Sequence, residues 1–395
     1  METSRLPVAI LPLLVICAVH TACAAGDTTR GTDRLTWLVD PAPLLVVGAD
    51  EQAPGHQFSG IRGAARLADG RLVVVDALSS EVRYFSADGT LVHTAGGEGD
   101  GPQELRRISD FSISPGDTVN LFLYLPAVAR VTPDGRVADK RIFPWPPLRF
   151  NCHLAESGNA PLPDGSLLQV AGYNPGQPGC DPYIEGEMSR RDAVVARLDP
   201  ISQTKDTIGF FPGTERNSPN YRVFGLDLLV AASADRIFVG ETEGDSIVVF
   251  DYDGNRVGRY EVPLERQPIP ADVRAIEPES RRLPDGRVVS RQPYAMPELY
   301  PRFGRLLAGR DGTLRVMAYP QVPEPISSYQ LNRPGGYMDP AGQLWVVLDP
   351  DGNHIGNVRT PPGLFAVEIG TDYVLGLALD EYDVERVQLH ALEGR

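Results

Sequence analysis

The sequence predicts an all-β chain folded as one six-bladed β-propeller of four-stranded antiparallel blades, and three observations carry this. Short apolar runs recur along the chain, many of them are joined by Asp-Gly pairs, and the strand-turn-strand unit repeats every roughly 45 to 60 residues. Asp-Gly suits tight hairpins because positive backbone angles cost Gly nothing and are tolerated by Asp. A content of 42% hydrophobic residues fills a core, and 40 Gly with 36 Pro is turn-rich without being low-complexity.

Residues 1–24 read as an export signal: an apolar run from Leu6 to Val19 follows Arg5 and ends in small residues. The run is too short for a membrane span, and Pro7 and Pro12 interrupt it. Thr21-Ala22-Cys23 resembles a lipoprotein cleavage box, with His20 departing from its aliphatic preference, whereas Ala22-Cys23-Ala24 also fits simple secretion. The expectation is lipidation at Cys23, followed by a polar linker at 25–36 and a propeller domain at 37–393.

Leu44-Leu45-Val46-Val47 has no partner in the first repeat, so it is expected to pair with the last blade and close the ring. The first blade is the clearest, with Ala65 to Leu67, Asp69-Gly70, Leu72 to Val75, Val82 to Phe85, Asp88-Gly89 and Leu91 in order. A second follows from Ile108 to Phe143, turning at Pro115-Gly116 and Asp134-Gly135. The third begins near Phe150, turns at Asp164-Gly165 and carries an insertion at about 152–192.

Removing the signal leaves Cys152 and Cys180 in an oxidising compartment, where a disulfide persists. Closing that loop would contribute about 3 to 4 kcal/mol by chain entropy. The alternative, a metal site using His153, lacks ligand spacing. Blade four holds Ile237 to Val239 and Ser246 to Phe250, and blade five turns at Asp311-Gly312 and Asp351-Gly352. Blade six runs from Phe365 to Leu392. Between blades four and five, residues 264–301 break the pattern with a short helical stretch after Pro270.

The first repeat and its exit, Gly97-Glu98-Gly99-Asp100-Gly101-Pro102-Gln103-Glu104-Leu105, resemble the NHL-like and TolB-like six-bladed propellers of exported bacterial proteins and lipoproteins. Gln103 and Leu105 depart from that family's linking pattern. The resemblance implies the fold and a range of roles, from binding proteins, sugars or small ligands to hydrolysing lactones.

The net charge of −15 argues against nucleic acid as a partner and against anionic membrane surfaces, leaving a lipid anchor as the membrane link. No G-x-S-x-G nucleophile is present, and His56, His93, His153, His354 and His390 are scattered. Asp349-Pro350-Asp351-Gly352-Asn353 imitates a calcium loop, but its twelfth position is Thr360 rather than Glu. A hairpin turn is the simpler reading.

Arginines recur at the start of successive inner strands: Arg62, Arg107, Arg149, Arg222 and Arg302. Aligned around the channel they would form a basic mouth for a carboxylate or sulfate. Alternatively each pairs with a carboxylate and braces neighbouring blades. The expectation is therefore a monomeric, non-enzymatic propeller that binds a protein or small anionic ligand and needs no cofactor. The competing reading is a calcium-dependent, lactonase-like hydrolase or a lyase, in which Asn151 and Asn220, near blade entries, would take part.

Overall fold

Each Asp-Gly pair named above closes a hairpin, though not by placing both residues at positive φ. In the computed structural model only the glycine takes a positive φ, from 79° to 88° across Gly70, Gly89, Gly135, Gly165, Gly254, Gly312 and Gly352. Its N–H donates to the carbonyl three residues back, as Gly70 does to Leu67 at 3.0 Å, and Leu67 N–H donates across the loop to Arg71. This is a three-residue loop in which a left-handed glycine follows a tight turn. The aspartate acts through its side chain: Asp69, Asp88, Asp164 and Asp311 each accept the N–H two residues on. The calcium-like Asp349 spends its carboxylate in the same way, on the N–H groups of Asp351 and Asn353.

The structure describes residues 36–394 except 51, 124–126, 145–148, 151, 156–159, 175–178, 183, 185–186, 218–219, 277–280, 283–287, 290–295, 323–330 and 332–338. The signal and Cys23 lie outside them. Strand β1 (Thr36–Val47) precedes a four-stranded sheet of β2 (Ile61–Arg66), β3 (Leu72–Asp76), β4 (Glu81–Phe85) and β5 (Leu91–Gly96). A second sheet has β6 (Ile108–Ile113), β7 (Val119–Leu123), β8 (Ala127–Val131) and β9 (Val137–Ile142).

The third sheet is less regular. After β10 (Arg149–Phe150), its inner edge is split into β11 (His153–Ala155) and β12 (Ala160–Pro161), both pairing with β13 (Leu167–Tyr173). Beyond β13 and the small strand β14 (Met188–Ser189) come β15 (Asp192–Asp199) and β16 (Thr204–Pro212). The stretch expected as an insertion at 152–192 thus contributes strands to the blade. A β17 (Arg216–Asn217) and β18 (Asn220–Tyr221) hairpin pairs with β14.

The fourth sheet comprises β19 (Leu228–Ala232), β20 (Ile237–Glu241), β21 (Ser246–Phe250) and β22 (Arg256–Glu261). Helix α1 (Ala271–Arg274) starts after Pro270, and β23 (Arg281–Arg282) pairs with β24 (Val288–Val289). The last sheet is two runs of four: β25 (Phe303–Ala308), β26 (Leu314–Ala318), β27 (Leu344–Leu348) and β28 (His354–Arg359), then β29 (Phe365–Ile369), β30 (Tyr373–Leu379), β31 (Glu385–Gly394) and β1. As expected from Leu44 to Val47, β1 pairs antiparallel with β31, aligning Leu45 with Leu389. Its first residues also touch β28 in parallel, which merges the two runs into one sheet.

Inner strands neighbour one another in a cycle: β2 meets β6, β6 meets β12, β12 meets β19, β19 meets β25, β25 meets β29, and β29 meets β2. A separate buried cluster fills each seam. Tyr84 and Val75 pack with Leu121 and Val131, Phe122 with Ala171 and Val194, and Val195 with Ile237. Phe238 and Val249 pack with Phe303 and Val316, Trp345 and Val347 with Ala366 and Val374, and Phe365 and Leu375 with Ile61 and Val74. A four-stranded sheet has two apolar faces, and only a neighbour on each side removes both from water. The result is an all-β propeller of four-stranded blades.

Candidate functional site

Antiparallel blades give the propeller two unlike sides. Tight Asp-Gly hairpins between first and second and between third and fourth strands lie on one, here the turn side. Second-to-third links and every blade-to-blade crossover lie on the other, the entry side, where inner strands begin. The described residues of 48–60, 97–107, 213–227, 262–302 and 319–343 therefore share one side.

The turn side is held together across the channel by Arg310, whose guanidinium lies 3.8 Å from Asp117 and 3.5 Å from Glu368. Asp117 also accepts Ala68 N–H at 3.0 Å, and Glu368 accepts Arg66 N–H at 2.9 Å. Turns from four blades are thereby tied together.

The entry side is built from carboxylates that receive backbone N–H groups. Asp76, completely buried at the end of β3, accepts Ser59 N–H at 2.9 Å and Gly60 N–H at 3.0 Å, with Arg83 3.6 Å away. Arg83 also donates to Glu81 at 2.6 Å and to the carbonyls of Gly55 and Gln57. From β31, Glu385 accepts Ile61 N–H at 2.6 Å. Burial pushes the Glu385 carboxyl above its ordinary range, opposed by the Ile61 hydrogen bond and reinforced by Asp76.

A carboxyl whose pKa is raised on folding holds its proton more tightly in the folded chain, so its contribution to stability is lost as pH rises through the raised value. Glu385→Gln keeps an acceptor for Ile61 and removes the charge. Its unfolding midpoint is expected to fall less than the wild type's between acid pH and neutrality, which thermal scans across that range would measure.

The five arginines occupy varied settings. Arg62 sits in a β-bulge at the start of β2, and its Nη2 reaches Asp110 of the neighbouring blade at 2.7 Å. Arg222 pairs with Glu215 at 2.6 Å. Arg302 donates to the Leu264 carbonyl. Arg107 is exposed, with a left-handed backbone at φ 44°. The Arg149 side chain, Asn151 and the Asn220 side chain lie outside what is described.

Sequence periodicity missed two further arginines there. Arg190 lies 3.4 Å and Arg266 3.2 Å from Glu243, joining the link before β15 and the link after β22 to the link between β20 and β21. Among the described residues, Arg62, Arg190, Arg222 and Arg266 on this side are each matched by a carboxylate. It also missed Phe224, a bulky residue at φ 50° whose buried ring packs edge-on to Tyr300 at 5.0 Å. That conformation is costly unless its surroundings hold it, and such strain gathers where loops are shaped for binding. Ile269 and Val273 of the irregular segment bury against the same cluster, so this part of it is packed down as core.

The paired cysteines are as expected: Cys152 and Cys180 form a disulfide on the entry side of the third blade. Beside it His153 meets Tyr173 and Phe210 edge-on, while its Nε2 contacts the Asp192 carbonyl at 2.9 Å. His56 accepts Gly48 N–H on Nδ1 and contacts the Gly89 carbonyl through Nε2, a structural bridge. Among the described residues, no group of three or more His, Cys, Asp or Glu side chains is disposed to hold a metal ion.

No family model matches the chain, an NHL-like or TolB-like one included. No curated protein matches either. Among solved structures, the chain is similar to a DUF4221-family member from Bacteroides vulgatus, at 12% identity over 91% of this chain and 98% of that one, with a TM-score of 0.49. A protein of inferred export from Bacteroides fragilis gives 13% identity over 91% and 95%, with a TM-score of 0.45. A gluconolactonase from Xanthomonas campestris gives 14% identity over 85% and 87%, with a TM-score of 0.37.

Proposed function

We propose that this is an exported, monomeric, non-catalytic binding propeller of six blades, docking a protein or a small anionic ligand on its entry side. The cycle of inner strands and the six filled seams support the blade number. The observation that carries the functional reading is the asymmetry of the two sides. Long connections, the disulfide, the strained Phe224 and Arg107 and the paired arginines all gather on one side, opposite tight turns bound by Arg310. Binding residues concentrate on loops displayed by a rigid scaffold. In this reading residues 1–24 direct export and Cys23 carries the lipid that tethers the domain to the cell envelope.

The anionic-ligand version rests on Arg62, Arg107, Arg149, Arg222 and Arg302 beginning successive inner strands. The Arg62–Asp110 and Arg222–Glu215 pairs favour the version in which these arginines brace the blades and offer a partner alternating charge. A thermal-shift screen of anionic small molecules and envelope proteins, with and without calcium, tests the proposal. A ligand should raise the unfolding temperature, and Arg107→Glu should abolish that rise. Arg136→Glu, at an exposed turn-side position, should leave it intact. Equal loss in both variants, or no loss in either, contradicts an entry-side site. Stoichiometric calcium in the purified protein with turnover of lactones would favour the hydrolase or lyase reading instead.

A further inference from the structure

One blade seam holds a buried cation that no carboxylate among the described residues neutralises. Arg305, on β25, is only 7% exposed. Its Nη2 donates to the Ala366 carbonyl at 3.1 Å, and its guanidinium carbon lies 4.0 Å from the Phe365 ring centre and 5.4 Å from that of Trp345. Nη1 has no hydrogen-bond partner among the described residues. The fully buried Trp345 Nε1 and both atoms of the buried Gln343 amide are unpartnered as well. Trp345 lies across β26 from Arg305 in the same cross-strand row, and Gln343 is two residues before it on the same face.

Burial lowers the Arg305 pKa to about 9, so the group is a cation at neutral pH. Stacking on two rings recovers part of the cost of burying that charge, but a guanidinium taken from water needs an opposite charge and acceptors for its N–H groups. Arg315 in the same seam has such a partner in Asp311, whereas Arg305 has none among the described residues. Guanidinium and indole N–H groups only donate, so whatever completes the cluster must accept. A water would accept but leave the charge unmatched.

We propose that the seam between β25–β28 and β29–β31 binds a small monovalent anion of the chloride class, held by Arg305 Nη1 and Trp345 Nε1, with the Gln343 amide as third donor. The enclosing side chains, Phe365, Met317 and Trp345, are all buried and restrict the site to a small ion.

The probe is bromide, which scatters anomalously. Crystals of the protein grown in sodium bromide should give an anomalous peak within hydrogen-bond distance of Arg305 Nη1 and Trp345 Nε1. No peak there overturns the proposal, even if bromide lies elsewhere. In solution, replacing gluconate by chloride at constant ionic strength should raise the wild-type unfolding midpoint by about 2 °C. The response should vanish in Arg305→Met, which keeps the bulk without the charge. A wild type indifferent to chloride, or a response unchanged in Arg305→Met, contradicts the proposal. Should that variant fail to fold, the anomalous map on the wild type decides.

Discussion

Replacing Asp76 by Ala is expected to destabilise the domain by about 3 to 5 kcal/mol, because it leaves the N–H donors of Ser59 and Gly60 without their acceptor and takes one of two carboxylates from beside the buried Arg83. Ser59 and Gly60 donate to this carboxylate, Ser79 N–H lies 3.4 Å from it, and Arg83 stands beside it with a side chain only 10% exposed. The substitution removes few apolar contacts, so the loss reports the polar cluster rather than a cavity. Asp76→Asn retains one accepting oxygen and should lose about 1 to 2 kcal/mol. Equilibrium denaturant unfolding of the three proteins gives the comparison. Equal stability of wild type and Asp76→Ala would show that the link from 48 to 60 is held by other contacts.

The second large effect concerns the disulfide. Cys152 and Cys180 are separated by 28 positions, and opening that loop should cost about 3 to 4 kcal/mol through the entropy returned to the unfolded chain. The double variant Cys152→Ser, Cys180→Ser is expected to remain folded, since the apolar seams on both sides of the third blade do not include either cysteine. Its unfolding midpoint should match that of the reduced wild type. Amide exchange should quicken in the connection from β13 to β15 and remain slow in β20 and β21. A uniform acceleration across all blades would instead make the bond a global requirement of the fold.

Much of the scaffold was legible in the sequence because hairpin chemistry is local. Asp-Gly pairs marked the turns, and alternation around them marked the strands. What they did not reveal was the turn type, since Asp-Gly serves both a two-residue loop and the three-residue loop found here; the difference lies in whether the preceding residues join the turn. The pairing of β1 with β31 was visible because Leu44 to Val47 lacked a local partner. The split inner edge of the third blade, where β11 and β12 replace one strand, followed from no local pattern.

The site was less legible, because its determinants come from other blades. Periodicity exposed the arginines at 62, 107, 149, 222 and 302 but not their partners. Asp110 reaches Arg62 only because consecutive blades are neighbours. Arg305 illustrates a second limit. Strict alternation along Phe303-Gly304-Arg305 would put Arg305 on the same face as Phe303, yet the bulge at Gly304 reverses the phase. Phe303 therefore packs toward β19–β22, and Arg305 enters the opposite seam.

Docking of a ligand on the side where inner strands begin should shield the links there from solvent. It is tested most directly by amide hydrogen exchange of the protein with and without the first ligand returned by the thermal-shift screen. Protection should fall on 48–60, 97–107 and 213–227, leaving the Asp-Gly hairpins around Gly70, Gly165 and Gly312 unchanged. Protection confined to those hairpins, with the entry-side links unaffected, would contradict it.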